Sequence, residues 1–116
     1  MILLYHHVCP TEEIPPPEKQ RDIEGWEFNI PPAAFRKQLE EIHRRGFEFI
    51  PIDDYVASIR RSGIAPPGQA VITFDDGWRD NYEHAFPILQ SLAVPTTFFV
   101  TSADICSDAN DPMKMG

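Results

Sequence analysis

The chain has 116 residues, 12 of them proline, and carries 18 acidic against 10 basic residues for a formal net charge of −8. One small domain spanning 1–116 is expected, with a modest core, and the acidic balance without a Lys/Arg-rich block argues against nucleic acid or an anionic membrane as a partner. No apolar run reaches membrane-spanning length, and the opening Met1-Ile2-Leu3-Leu4-Tyr5 has neither a basic leader nor a small-residue cleavage site, so no export signal is expected and the compartment stays open. Cys9 and Cys106 lie far apart in no metal-ligand spacing, which argues against a zinc knuckle and leaves a Cys9–Cys106 disulfide as one pairing.

In chain order, residues 1–7 form a candidate first strand, apolar and then abruptly polar at His6-His7. Residues 9–30 make a long loop containing Pro15-Pro16-Pro17, closed by Trp26-Glu27-Phe28-Asn29-Ile30, whose alternation suggests a short strand or docked arm. Phe35, Leu39 and Ile42 recur at helical spacing within 32–45, and Gly46 provides the stop. A second strand over 47–52 leads into a helix over 53–62, with Asp53 or Asp54 as cap and Gly63 as terminator, and 65–68 is a turn.

The third strand, 70–74, ends at Asp75-Asp76-Gly77. A helix over 78–92 follows, with Tyr82, Ala85, Phe86 and Leu89 spaced for one buried face and Pro87 as a kink. The fourth strand, 96–101, is continuously apolar through Phe98-Phe99-Val100 and is expected to be covered on both faces. Residues 102–116 form a loop-like tail. Strands alternating with helices predict a parallel sheet with right-handed crossovers, which collects ligands at the carboxyl ends of its strands.

Two endings there carry proton- or metal-handling groups, His6-His7 and Asp75-Asp76. Adjacent carboxylates at the mouth of an apolar strand are costly unless a cation or proton joins them, and Gly77 allows the turn that brings both to one site. The simpler alternative is an Asp capping the next helix, for which one Asp suffices. Alternation sends His6 and His7 to opposite sides, so no more than one should face the rim; a hydrogen-bonded structural histidine is the alternative for each, more so for His7. Trp78 and Arg79 could line the rim or simply begin the helix, His43 and His84 read as surface groups, and Phe98-Phe99 reads as core.

Thr73-Phe74-Asp75-Asp76-Gly77 resembles the first signature motif of the polysaccharide deacetylases, the NodB-homology or carbohydrate esterase family 4 enzymes. Leu4-Tyr5-His6-His7-Val8, Phe35 and Leu39 with Gly46-Phe47, Ala85-Phe86-Pro87-Ile88-Leu89 and Val94-Pro95-Thr96-Thr97-Phe98-Phe99-Val100 extend the likeness over nearly the whole chain, closest to the branch acting on poly-N-acetylglucosamine. The resemblance implies an α/β fold, a parallel-stranded partial (β/α) barrel of about four strands with helices between, forming the N-terminal half of a NodB-type barrel.

It also implies metal-dependent hydrolysis of an acetyl group on a polysaccharide. By motif position Asp75 resembles the general base and Asp76 the aspartate ligand of a divalent metal, often zinc, while His6, His7, Trp78 and Arg79 are candidates for the rim. The family's second motif, His-x-x-x-His, has no counterpart among His6, His7, His43 and His84. The isolated chain is therefore expected to hold metal weakly and to be inactive, and its fourth-strand edge invites self-association or a complementing C-terminal half. The competing reading is a non-catalytic carbohydrate-binding or assembly module on the same scaffold.

Overall fold

A computed structural model of the chain describes residues 1–17, 26–75 and 79–99; Asp76, Gly77, Trp78, Val100, Thr101 and the tail 102–116 lie outside them. The apolar run from Ala70 to Phe74 becomes the middle of strand β3, Gln69–Asp75, buried from Ala70 through Phe74. Strand β1, Ile2–Tyr5, pairs with β3 in parallel from Ile2–Val71 to Tyr5–Phe74. Strand β4, Thr96–Phe99, pairs in parallel from Ile72–Thr96 to Asp75–Phe99. These registers overlap, so β1 and β4 occupy opposite edges of β3. Strand β2, Glu48–Phe49, joins the start of β3 across from β1 and completes a four-stranded sheet.

Helix α1, Pro32–Arg44, begins with a proline in its first turn, where the missing N–H costs nothing, and buries Phe35, Leu39 and Ile42 as their spacing predicts. The predicted strand 47–52 shortens to two residues. Its last sheet bond is Ile50 N–H to the Ala70 carbonyl at 2.9 Å; Pro51 then has no N–H to offer the ladder and instead takes the cap position of helix α2, Ile52–Ser62. Asp53 and Asp54 are consequently not caps but first-turn residues, where their charge faces the positive end of the helix dipole. Gly63 ends α2 as expected, in the left-handed conformation at φ 77°.

The predicted helix 78–92 is interrupted. A π-helical turn, Asn81–Ala85, precedes helix α3, Phe86–Ser91. Phe86 donates its N–H to Asn81, five residues back, and Pro87 has no N–H with which to restore the regular ladder. The extra residue in the turn rotates the buried face. Asn81, Ala85, Ile88 and Leu89 are buried, while Tyr82 and Phe86, expected inside, stack on each other at the surface.

One sheet face packs on α1 and the π-turn–α3 segment. Tyr5, Val8, Phe35, Leu39, Ile72, Phe74, Ala85, Ile88, Leu89 and Val94 make its core, joined by Phe98, which stacks on Phe74 at 5.1 Å. The opposite face, to which strand alternation assigns Ile2, Leu4, Val71, Thr73, Asp75 and Phe99, is buried at Val71 and Thr73 in the middle strand but open on the flanking strands: Ile2, Leu4 and Phe99 are 52%, 54% and 48% exposed. The expectation that β4 is covered on both faces, with Phe98 and Phe99 both in the core, is thus corrected. Helix α2 covers this second face only near the start of β3, where Tyr55 packs with Ile50 and Val71, and leaves Phe99 uncovered.

Candidate active site at the strand carboxyl ends

Asp75 is the last residue of β3, half-buried, on the open face of the sheet beside Phe99. Its carboxylate makes no hydrogen bond or ion pair among the described residues; the amides of 76–78, which a capping carboxylate would meet, lie outside them. His6 follows directly on the Tyr5–Phe74 pair, and Asp75 follows on Phe74, so both leave the sheet at the same rim. The His6 ring is half-buried, with its Nδ1 enclosed and without a hydrogen-bond partner. Asp76 and Trp78 fall outside the described residues.

His7 turns inward. It is fully buried, its ring stacked on Trp26 with centroids 3.8 Å apart and planes 6° from parallel. His7 Nδ1 lies 2.9 Å from Asp80 Oδ1, and the Val8 N–H donates to Asp80 Oδ2 at 2.7 Å. One buried carboxylate therefore fastens the exit of β1 to the start of the segment leading to α3. A second clamp comes from Asn29, whose side chain accepts from the Cys9 N–H at 3.0 Å and donates to the Cys9 carbonyl at 3.1 Å. Asp80 and Asn29 were not singled out in the sequence. Their only signal is a polar residue close to a motif, and the contacts join positions 73 and 20 residues apart.

The segment 26–30, expected as a short strand or a docked arm, is the latter: a 3-10 turn, Trp26–Phe28, with a single parallel bridge between Ile30 and Val8. Its backbone is drawn to β1 by the bonds Ile30 N–H to His7 carbonyl and Cys9 N–H to Ile30 carbonyl, at 3.1 and 3.3 Å, which leave no length for a ladder.

Charge at this rim is negative. The Cys9 thiol is free and buried, and burial first, then the carboxylates of Asp80, Glu13, Glu12 and Glu83, push its pKa up to about 12. Cys106 lies outside the described residues. Arg79 is half-exposed and 3.9 Å from Glu83, and His84, expected at the surface, is partly covered and 3.4 Å from Glu13. His43 is exposed as expected. The buried polar atoms without partners among the described residues, on His6, Trp26 and Asn81, come from segments adjoining these strand ends.

Such an excess of unspent polar groups is common where a site must meet a ligand. As a metal site, however, the described set is incomplete. No three His, Cys, Asp or Glu side chains among the described residues gather closely enough to hold an ion.

Parallel strands packed against helices, with an acid and a histidine at their carboxyl ends, define a segment of a (β/α)-barrel scaffold. The polysaccharide deacetylase family model matches residues 62–115. The chain is 26% identical over 106 residues to Bacillus subtilis YxkH, covering 90% of this chain and 32% of that one. It is also 26% identical over 89 residues to the Escherichia coli poly-β-1,6-N-acetyl-D-glucosamine N-deacetylase, covering 77% of this chain and 13% of that one. Among solved structures, IcaB from Ammonifex degensii superposes with a TM-score of 0.69 at 28% identity, over 98% of this chain and 42% of that one.

In sequence and fold the chain is similar to the polysaccharide deacetylases. It spans less than half the length of each of these relatives. No helix among the described residues is long and apolar enough to cross a membrane.

Proposed function

We propose that this chain supplies the proton-handling and first metal-binding residues of a metal-dependent deacetylase acting on an acetylated polysaccharide of the N-acetylglucosamine type. The observation that carries the reading is Asp75: a carboxylate with no partner among the described residues, at the end of the central parallel strand, on the face beside Phe99 and next to the exit of β1. A carboxylate free of internal partners can accept a proton from water as that water attacks an acetyl carbonyl, and later return it to the departing amine or hydroxyl. His6 stands at the same rim with an unpartnered nitrogen directed inside, and is suited to orient substrate or water. His7, held by Asp80 and Trp26, positions the β1 exit rather than meeting substrate. Trp78 and Arg79 remain candidates for the outer rim.

Asp76 is assigned one coordination position on a divalent ion, zinc by preference. Zinc takes three protein ligands and an open position, and the described residues do not provide them, so the remaining donors have to come from elsewhere. When bound, the ion would polarise the acetyl carbonyl. Because no His-x-x-x-His pair occurs in the sequence, the 116-residue chain alone is expected to show no turnover and to require a complementing segment. The test is acetate release from a β-1,6-linked N-acetylglucosamine oligomer, by the chain alone and with a co-expressed segment carrying such a histidine pair. Release only in the second case supports the reading. Release in neither case, from a soluble assembled pair, overturns it.

A further inference from the structure

We propose that Phe28 is a fixed stacking platform for one pyranose ring of the polymer, set at the rim beside His6. The inference rests on the polysaccharide reading above, and adds to it a binding residue and the part of the sugar it would recognise. Phe28 is 62% exposed, yet it is not on a loose loop. It ends the 3-10 turn whose first residue, Trp26, is buried against His7, and the next residue, Asn29, is clamped to the Cys9 backbone by two bonds. Asn29 N–H also closes onto the Trp26 carbonyl at 3.1 Å, and Ile30 is tied to His7 at 3.1 Å. Its flanking residues are thus pinned to the exit of β1, while the ring of Phe28 stays in solvent.

Its ring centroid lies 5.4 Å from that of His6, tilted by 31°. An apolar ring that folding leaves exposed, but whose backbone is immobilised, is preorganised for a ligand and pays little entropy when it binds one. The electron-rich face of an aromatic ring attracts weakly positive groups. A β-linked glucosamine unit presents such groups as the axial C–H bonds of its chair, whereas its hydroxyl and acetamido groups point outward around the ring. Stacked on Phe28, one sugar would be held at the rim next to His6, with the polymer running along the strand ends.

The test is titration of a β-1,6-linked N-acetylglucosamine tetramer into the chain, followed by amide chemical shifts, for wild type and for Phe28→Ala, Phe28→Leu and Phe28→Tyr. Stacking predicts perturbed amides at residues 26–30 in wild type and Tyr, with affinity roughly tenfold weaker in both Ala and Leu. Since Phe28 buries little, thermal midpoints should stay close to wild type, which separates lost stacking from lost structure. No saturable binding by the folded wild-type chain, or equal binding by Phe28→Ala, overturns the platform. Phe28-dependent binding without acetate release in the complemented assay leaves the platform standing and removes the deacetylase reading; acetate release unaffected by Phe28→Ala, with equal binding, does the reverse.

Discussion

The imidazole of His7 and the carboxylate of Asp80 meet at 2.9 Å in the protein interior, joining the end of the first strand to the segment that follows the third. Asp80 uses its second oxygen to accept from Val8 N–H, so a single side chain meets two buried nitrogens in the segment that follows β1. That link fixes the spacing of the two strand ends that carry His6 and Asp75.

Replacing Asp80 with Ala leaves the Val8 N–H without its acceptor and removes the carboxylate facing His7. Leaving a buried donor without its acceptor costs about 1–3 kcal/mol. Asp80→Asn keeps the shape and one acceptor oxygen and should lose less. Urea unfolding midpoints of the two variants would check this; equal stability of Asp80→Ala and wild type would show that the link does not hold the strand ends.

Gly63 tests a smaller, purely conformational effect. Its φ of 77° suits glycine, and an added Cβ would meet nothing within 4 Å. Gly63→Ala should therefore destabilise the chain by about 1 kcal/mol through backbone strain alone, read as a modest fall in the thermal midpoint. In the main core, Phe35 is fully buried and packs edge-on against Tyr5 at 4.9 Å. Phe35→Ala should cost about 3–5 kcal/mol, a large share of the stability of a domain of this size, read as a marked fall in the urea midpoint by circular dichroism.

Two buried acids predict loss of stability at high pH. Burial pushes the Tyr5 hydroxyl from 10.0 to about 12 and the Cys9 thiol from 9.0 to about 12. Between roughly pH 9 and 12 the unfolded chain releases these protons while the folded chain retains them, so the unfolded state binds fewer protons and stability falls as pH rises. Below pH 9 both contributions are fully present. The Cys9→Ala, Tyr5→Phe double variant should show a flatter decline in urea midpoint across this window, and wild-type Cys9 should resist alkylation at pH 8 until the chain unfolds.

Much of this architecture is legible in the sequence where one local pattern decides the outcome. Phe35, Leu39 and Ile42 mark α1, Ala70 to Phe74 mark β3, and Gly63 ends α2, because periodicity and a single glycine suffice. Patterns fail where chemistry at one position redirects the chain. Pro51 cuts β2 short, and the π-turn before Pro87 sends Tyr82 and Phe86 outward. At the site, the placement of Asp75 at a strand end is readable from the apolar run before it. The His7–Asp80 link is not, since it joins residues 73 apart that share no motif. Phe99 looks like core from composition alone, but strand alternation puts it opposite Phe98, on the face that α2 covers only near Val71.

The division of labour between Asp75 and Asp76 is tested most directly by the zinc dependence of acetate release in the complemented protein, comparing wild type with Asp75→Asn and Asp76→Asn. Loss of a general base predicts a rate at least about 100-fold lower for Asp75→Asn at every zinc concentration, with the zinc midpoint unchanged. Asp76→Asn should instead raise the zinc concentration required. A wild-type rate from Asp75→Asn would contradict the account.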